Sequence, residues 1–133
     1  MGINDYLFID GYIKLLEYKN RGRLANIDTI FPVIEFRVKK FAGHKDFKRV
    51  NFHVIFSDKV VPEIIQTQFL NSLQGKYHLS PGYEGIRWNA SVSRESLSDL
   101  GQKIKKTVPP EQLDKYGSDL IEGFSNLNFD EEK

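Results

Sequence analysis

The sequence predicts an α/β fold in which a small central sheet is flanked by about four helices, and two observations support this prediction. Two apolar runs, residues 31–38 and 50–56, are rich in the β-branched and aromatic residues that favour strands. Elsewhere, apolar residues recur at helical spacing between capping residues, prolines and glycines. The helical segments are residues 10–21, 62–74, 94–106 and 110–124.

The length of the chain limits what it can form. Its 133 residues, of which 40% are hydrophobic, suffice for one domain with a buried core. They fall short of a complete α/β barrel, which needs about 200 residues or more. We expect one domain over residues 1–124 and an acidic, frayed tail over residues 125–133.

The residues near the N-terminus of the chain predict the end of a strand, or a turn, that leads into a helix. Residues 3–8 are typical of such an entry, and Asp10 is a candidate N-cap for the helix that follows. Apolar residues keep helical spacing until Asn20 and Gly22 end the run. The first helix should therefore occupy residues 10–21.

Each predicted strand carries a titratable residue on one of its faces, because side chains alternate along a strand. In the first strand, Glu35 lies on the face opposite Phe36. In the second strand, His53 shares a face with Asn51. Burying a polar group without a partner costs about 2–7 kcal/mol. Two interpretations follow: Glu35 and His53 pair with each other or with Arg37 as core polar groups, or they belong to a functional site.

The second half of the chain predicts three further helices. Pro62 is suited to the first turn of the second helix, which ends at Gly75. Ser93 is a candidate N-cap for the third helix, and a proline pair separates that helix from the fourth. Gly117 interrupts the apolar face of the fourth helix without abolishing it.

The segment between the second and third helices has no regular period. Residues 76–90 contain several turn-forming residues, and Ile86 and Trp88 should pack inward or form a short strand. His78 lies in this segment between two large side chains. We interpret His78 as a surface or structural residue rather than as a ligand.

A basic segment joins the two predicted strands, although the chain carries a formal net charge of only +1. Such a segment either faces phosphate or a nucleic-acid backbone, or forms a solvated loop surface, and both interpretations stay open. The candidate phosphate-binding residues are Arg37, Lys39, Lys40, Lys45, Lys48 and Arg49.

Several classes of site are excluded by what the sequence lacks. There is no cysteine, so disulfides, thiolate metal sites and cysteine nucleophiles are excluded. No Walker loop, Gly-x-Ser-x-Gly elbow or His-Glu-x-x-His pair occurs. No apolar run approaches the roughly 18 residues of a membrane span, and no signal sequence is apparent. We expect a cytoplasmic protein with no membrane association.

The remaining donors are oxygen and nitrogen atoms from Asp5, Glu35 and His53. Mixed carboxylate and imidazole sites suit Mn²⁺, Zn²⁺ or Fe. Such metals assist phosphate-ester hydrolysis by activating water and by neutralising charged oxygens. These residues are therefore the candidate metal ligands.

Three short segments of the chain resemble successive parts of the PHP (polymerase and histidinol phosphatase) superfamily. They are Ile-Asn-Asp-Tyr at 3–6, Phe-Pro-Val-Ile-Glu at 31–35 and Asn-Phe-His-Val-Ile-Phe at 51–56. More specifically, the chain resembles the PHP-like N-terminal region of large TrlF-type AAA-like ATPases. The additional segments that carry this resemblance are residues 5–12, 15–19, 68–70 and 97–101.

The resemblance implies a distorted β/α barrel, here incomplete, with a multi-metal phosphoesterase site. By the same resemblance Glu35 would bridge metals, His53 would bind one and Asp5 would lie near the site. The chain departs from the family where Tyr6 replaces a usual histidine. The closing Asp-x-His pair is absent, and by the resemblance the opening His-x-His pair would lie upstream of Met1. Such a pair, in the same gene or in the adjacent one, would restore the enzyme.

Two classes of function remain open. The first is a non-catalytic or incomplete module of a larger ATPase-linked protein of nucleic-acid processing or phage defence, which docks to the remainder of a split or longer protein. The second is a metal-dependent phosphoesterase or nuclease that uses Glu35 and His53 as ligands. We favour the first for this chain, because too few ligands are present for a multinuclear site.

Overall fold

The computed structural model describes residues 1–130 and 132, and this part of the chain is mixed α/β, as predicted. The strands are β1 Gly2–Tyr6, β2 Phe31–Ala42, β3 Lys48–Ile55, β4 Tyr77–Leu79 and β5 Leu127–Phe129. The α-helices are α1 Asp10–Asn20, α2 Pro62–Ile64, α3 Leu70–Ser72, α4 Arg94–Lys106 and α5 Asp119–Ser125. A π-helical segment covers Ile65–Phe69 and a 3-10 helix covers Pro110–Lys115. Among the described residues, every helix is too short or too polar to span a bilayer.

The chain divides into two compact units, Met1–Phe69 and Leu70–Lys133. Each unit contains strands and helices of its own. The single domain over residues 1–124 stays a prediction. The candidate metal ligands and the candidate phosphate-binding residues all belong to the first unit.

In the first unit, β2 lies between β1 and β3. Strand β1 pairs with β2 in parallel, from Gly2 opposite Phe31 to Tyr6 opposite Glu35. Helix α1 connects these two strands and contacts both of them, which makes β1, α1 and β2 a βαβ unit. Strand β3 pairs antiparallel with β2, from Val33 opposite Ile55 outward.

The pairing of β2 with β3 shifts register partway along the hairpin. Arg37 lies opposite Asn51, but the next paired residues are Phe41 and Arg49. Three residues of β2 therefore oppose one residue of β3, which is a bulge. Bulges bend a strand and increase its twist, so the outer part of the hairpin is reoriented relative to the inner part.

The turn of this hairpin depends on Gly43. Its φ of +132° lies in a region that residues with a Cβ rarely adopt, and a Cβ there would overlap the carbonyl oxygen of Asp46. Residue 43 follows β2 directly, and the loop then returns the chain to β3 at Lys48.

One face of the β2–β3 pair is apolar, as the alternation of side chains predicts. Ile34 and Phe36 are fully buried, and Phe36 stacks on its cross-strand partner Phe52 with ring centroids 5.2 Å apart. Phe69 contacts both Phe36 and Phe56 edge to face, at centroid distances of 6.0 Å and 4.9 Å. These aromatic contacts fix which side chains of each strand point to the other face.

In the second unit, α4 begins where the sequence predicts. The Ser93 hydroxyl accepts a hydrogen bond from the backbone amide of Ser96, and the Ser96 side chain accepts one from the Ser93 amide. This reciprocal capping satisfies amide groups that the first turn of a helix leaves unpaired. Leu97, Leu100 and Ile104 form the buried face of α4.

Helices α4 and α5 approach each other closely at two glycines. A Cβ on Gly101 would overlap the backbone carbonyl of Asp119, and a Cβ on Gly123 would overlap the carbonyl of Leu97. Both glycines are buried. The contact between the two backbones therefore requires residues without a side chain at both positions.

The predicted fourth helix over residues 110–124 is wrong, because the structure has two shorter helices there. The 3-10 helix ends at Lys115 and α5 begins at Asp119. Between them, the Gly117 amide donates a hydrogen bond of 2.7 Å to the Glu122 carboxylate. That bond satisfies a backbone donor outside either helix, which lets the chain turn where a continuous helix was expected.

Two short strands were also not predicted. Strand β4 lies in the segment that lacks a regular period, and it pairs antiparallel with β5. Leu127 and Phe129 of β5 are buried, so the expected frayed tail from residue 125 is wrong for these residues. Glu131 of the acidic tail lies outside the described residues, as does Lys133.

The close approach of α4 and α5 predicts that Gly101→Ala and Gly123→Ala each lower the free energy of unfolding by about 1–3 kcal/mol, the usual cost of overpacking. Urea unfolding at neutral pH measures this change. Gly85→Ala is the matched control, because a Cβ at Gly85 meets no atom within 4 Å. Equal stability of the Gly101→Ala variant and the wild-type protein would contradict the packing described.

Candidate functional site

Glu35 and His53 lie directly opposite each other in the antiparallel pairing of β2 with β3. The His53 Nε2 atom is 3.6 Å from the Glu35 Oε2 atom. Their Cβ atoms share a face because residues opposite each other in a ladder point the same way. The predicted convergence of these two side chains is therefore what the structure contains.

Two asparagines hold the Glu35 carboxylate. Asn4 of β1 donates a hydrogen bond of 2.9 Å to Oε2, and Asn51 of β3 donates one of 2.6 Å to Oε1. The Asn4 hydrogen bond, then the one from Asn51 and the nearby His53 hold the pKa of Glu35 below its ordinary value, against an opposing effect of burial. Glu35 is therefore an anion at neutral pH, with a bonded partner on each oxygen.

This polar cluster lies at the protein surface rather than in the core. The side chain of Glu35 is 24% exposed and that of His53 is 49% exposed. Strand β3 is largely solvent-accessible, and Ile55 on the same face is exposed as well. Glu35 and His53 therefore pair with each other, as one interpretation of the sequence expects, but solvent reaches both groups and they are not part of the core.

Asp5 is directed away from this cluster. It lies opposite Ile34 in the pairing of β1 with β2, one position out of phase with Glu35. Its Oδ2 atom accepts hydrogen bonds from the backbone amides of Gly11, at 2.9 Å, and Tyr12, at 3.2 Å. Asp5 therefore caps the first turn of α1 and does not lie with the other two candidate ligands.

The role of Asp5 also corrects the predicted cap of α1. The N-cap residue is Ile9, which forms no side-chain cap bond, and Asp10 is the first helical residue. The expected N-cap at Asp10 is wrong because the carboxylate of Asp5 reaches the first-turn amides from the neighbouring strand. A close approach of the backbone assists this contact: a Cβ on Gly11 would lie 2.7 Å from the Asp5 Oδ1 atom.

The donors present do not fit a complete metal site. Within the described residues, no three His, Cys, Asp or Glu side chains are grouped in a way that could hold a metal ion. Glu35 and His53 supply two donors, whereas Zn²⁺ sites generally use at least three protein ligands. Mn²⁺, Zn²⁺ or Fe would therefore need further ligands from outside these residues.

Two arginines lie next to the cluster on the same side of the sheet. The guanidinium of Arg37 is 5.6 Å from the centre of the Tyr6 ring, and that of Arg49 is 5.8 Å from the centre of the Phe41 ring. Burial, and secondarily the positive charge of Arg37, lower the pKa of Arg49. Burial raises the pKa of Tyr6, while the charges of Arg37 and Arg49 oppose that increase. The positive charges of both guanidinium groups therefore act on the Tyr6 hydroxyl.

The four candidate lysines occupy the outer part of the hairpin. All four are exposed, whereas Arg37 and Arg49 are half-buried. Lys39 and Lys40 lie in the bulged part of β2, Lys45 lies in the turn, and Lys48 begins β3. The structure thus distributes the predicted phosphate-binding residues along one hairpin, with the arginines nearest the Glu35 cluster.

The sequence revealed only part of the cluster. Asn51 was evident as the polar neighbour of His53, but Asn4 was not identified as a site residue. Its role depends on the register of β1 against β2, which the sequence does not specify.

His78 is a second histidine with an acidic partner: its Nε2 atom lies 3.1 Å from the Asp130 Oδ2 atom, in the second unit. The expected structural role of His78 is compatible with this contact, although His78 lies in a strand and not in a loop.

Comparisons of the chain with protein-family models, with curated proteins and with solved structures find no match.

The hydrogen bonds to Glu35 predict a pH dependence of stability. Because its pKa is lower in the folded chain than the ordinary 4.5, its contribution is fully present above about pH 5 and is lost as the pH falls through the folded-state pKa. Glu35→Gln replaces one acceptor oxygen by an NH₂ group, so we expect a loss of about 1 kcal/mol at pH 7. This difference from the wild-type protein should shrink as the pH falls from 5 to 3.

Urea unfolding at four pH values between 3 and 7 measures this difference. Glu17→Gln on α1 is the control, because it removes the same charge from an exposed position away from both asparagines. A stability difference between wild type and Glu35→Gln that stays constant over this pH range would contradict the assigned hydrogen bonds.

Proposed function

We propose that this chain is a non-catalytic, nucleic-acid-binding module of a larger ATPase-linked protein that functions in nucleic-acid processing or phage defence. Its binding surface is the β2–β3 hairpin, and its partner is the remainder of a split or longer ATPase protein. We propose further that it acts in the cytoplasm. The resemblance of its segments to the N-terminal region of TrlF-type ATPases supports this larger context.

The local architecture supports a PHP-type origin as part of the proposal. The repeating element of a β/α barrel is a strand, a helix and a parallel strand, and β1, α1 and β2 have this arrangement. Strand β3 departs from the repeat because it runs antiparallel to β2. A distorted and incomplete derivative of a PHP-type barrel accounts for both features.

One observation carries the binding function: positive charge is concentrated on an exposed hairpin. Residues 37–49 contain six lysines and arginines and one acidic residue, Asp46, while the whole chain has a net charge of +1. The remainder of the chain is therefore net negative. A nucleic-acid backbone releases condensed counterions when such a surface neutralises its phosphates, which favours binding without any deep pocket.

The state of Glu35 supports a binding role rather than catalysis. Both of its oxygens accept hydrogen bonds from asparagine side chains, and a metal would have to displace these bonds. The carboxylate also gives the sheet a fixed negative charge beside Arg37 and Arg49. Such a charge orients neighbouring cations and disfavours phosphate at the inner end of the hairpin, so the backbone of a ligand should follow the outer part.

The proposed surface predicts that neutralising lysines weakens nucleic-acid binding and its salt dependence. The triple variant Lys39→Gln, Lys45→Gln and Lys48→Gln should bind a fluorescent 20-nucleotide strand more weakly than wild type. The slope of log affinity against log salt should fall by about 0.7 for each phosphate that the variant no longer neutralises. Fluorescence anisotropy between 50 and 200 mM NaCl measures both quantities.

The control for this experiment neutralises lysines elsewhere. Lys14→Gln and Lys59→Gln change exposed lysines of the same unit that lie outside the hairpin. We expect this double variant to keep the wild-type slope. Absence of binding by the wild-type protein at 50 mM NaCl, or an equal loss of slope in the control, would contradict the proposal.

A second candidate is a metal-dependent phosphoesterase, and the adjacency of Glu35 and His53 favours it. An anionic carboxylate and an imidazole 3.6 Å apart are two donors of the kind that Mn²⁺, Zn²⁺ or Fe binds. A further segment or chain would have to supply the other ligands. Metal bound there would polarise a phosphate oxygen and lower the pKa of its bound water.

Metal uptake and turnover separate the two candidates. If the module is non-catalytic, the wild-type chain, Glu35→Ala and His53→Ala should all lack Mn²⁺-dependent hydrolysis of a generic phosphodiester. Glu35→Ala should instead lose about 1 kcal/mol of stability, because two hydrogen bonds to the carboxylate are lost while the exposed amides of Asn4 and Asn51 can bond to water. His44→Ala in the exposed turn is the control. Stoichiometric metal uptake and hydrolysis that both mutations abolish would support the phosphoesterase.

A further inference from the structure

The basic hairpin also exposes two phenylalanine rings. Phe47 is 74% exposed and Phe41 is 52% exposed. Both lie among the cationic residues rather than on the apolar face that packs against Phe36. Exposing aromatic surface forfeits the free energy that burial would contribute. Two such rings on one short hairpin therefore indicate a contact surface.

Each of the two rings has a basic residue next to it in the sequence. Phe41 lies opposite Arg49, and the Arg49 guanidinium lies over one face of its ring. Phe47 occupies the end of the turn, directly after Asp46 and before Lys48. A flat apolar ring beside a flexible cation matches a nucleotide, which has a flat base joined to a phosphate.

We propose that the β2–β3 hairpin binds single-stranded nucleic acid, with bases stacked on Phe47 and Phe41 and phosphates held by the neighbouring lysines. This inference rests on the proposed function and specifies the form of the ligand. Lys48 follows Phe47 directly, and Lys45 precedes it by two residues with Asp46 between them. Both lysines are exposed, so their flexible side chains are available to the phosphates next to a base stacked on Phe47.

The exposed rings of Phe41 and Phe47 favour single-stranded over double-stranded nucleic acid. In a duplex the faces of the bases are already stacked on one another, and a protein reaches only base edges and the backbone. An exposed ring finds no partner there unless it unstacks a base step, which costs a few kcal/mol. In a single strand the base faces are accessible, and stacking is tolerant of base identity. The surface therefore favours unpaired strands with little sequence preference.

The lysines alone would bind duplex and single strand through charge, so the rings must be tested separately. Fluorescence anisotropy at 100 mM NaCl should compare labelled dT20, rU20 and a 20-base-pair duplex. We expect the single strands to bind more tightly than the duplex. Phe47→Ala should weaken single-strand binding by roughly 5- to 150-fold, the usual loss for one stacked base, and leave duplex binding nearly unchanged. A further arm with dU20, which differs from rU20 only at the 2′ position, reports whether the 2′-hydroxyl contributes.

Conservative variants distinguish stacking from simple apolar contact. Phe47→Trp should retain single-strand affinity, and its added indole fluorescence should be quenched by dT20 over the background of Trp88, the single natural tryptophan. Phe47→Leu should lose affinity as Phe47→Ala does. Val61→Ala is the control, because Val61 is an exposed apolar residue outside the hairpin. Circular dichroism establishes that each variant is folded.

The outcomes separate this inference from the function on which it rests. If lysine variants weaken binding while duplex and single strand bind equally and Phe47→Ala changes nothing, the inference is overturned and nucleic-acid binding stands. If neither form of nucleic acid binds, both fail. If Phe47→Ala abolishes binding to vesicles of anionic phospholipid and leaves dT20 binding unchanged, the hairpin is a membrane-surface contact and the inference is overturned.

Discussion

The antiparallel register of β2 against β3 is the constraint on which the surface of the first unit depends. It sets Glu35 opposite His53 and Arg37 opposite Asn51, and it aligns Phe36 with Phe52 on the other face. A slip of one residue would exchange the two faces and remove every one of these contacts. Phe36 is buried and stacks on Phe52, and a slipped register would lose both the buried aromatic area of Phe36 and this stacking.

The polar face is therefore a consequence of how the apolar face packs. Glu35 becomes an anion held by asparagines of two different strands, so its position depends on both β1 and β3. Removing either asparagine would cost only a modest amount of stability, because water can reach the carboxylate oxygen that loses its donor. Each oxygen of Glu35 accepts a hydrogen bond from an asparagine. The carboxylate and the imidazole therefore need no bound metal to be stable on the sheet, and no third potential metal ligand is grouped with them in the described residues.

The bulge separates this inner cluster from the outer hairpin. Inside it, pairing is regular and the side chains are held by hydrogen bonds. Beyond it, lysines and two phenylalanines are exposed around a turn that requires a glycine at residue 43. The inner cluster stabilises the pairing of the strands, and the outer hairpin presents lysine and phenylalanine side chains to a ligand. A functional surface on such a hairpin is typical, because loops supported by a rigid sheet carry much of the binding in proteins.

Much of this arrangement could be predicted from the sequence, and the exceptions have physical reasons. Alternation along 31–38 and 50–56 predicts the faces of Glu35 and His53, because both strands are long enough for a period of two to be visible. It does not predict Asn4, whose contact depends on the pairing of a short parallel strand distant in sequence. The residue type at position 10 assigns the cap of α1 to Asp10, because a rule based on neighbouring residues cannot detect the Asp5 carboxylate contributed by β1. Strands β4 and β5 have three residues each, too few for any period, and the pattern over 110–124 does not reveal that Gly117 divides it into two helices.

The most direct test of this register is to measure which residues of the two strands face each other. The chain contains no cysteine, so pairs of introduced cysteines report the register without background. We expect Glu35→Cys with His53→Cys to oxidise to an intramolecular disulfide, since opposite residues of a ladder lie within bridging distance. Glu35→Cys with Val54→Cys should stay reduced under the same conditions, because residue 54 points through the other face. Preferential oxidation of the 35 and 54 pair would contradict the register and the surface that depends on it.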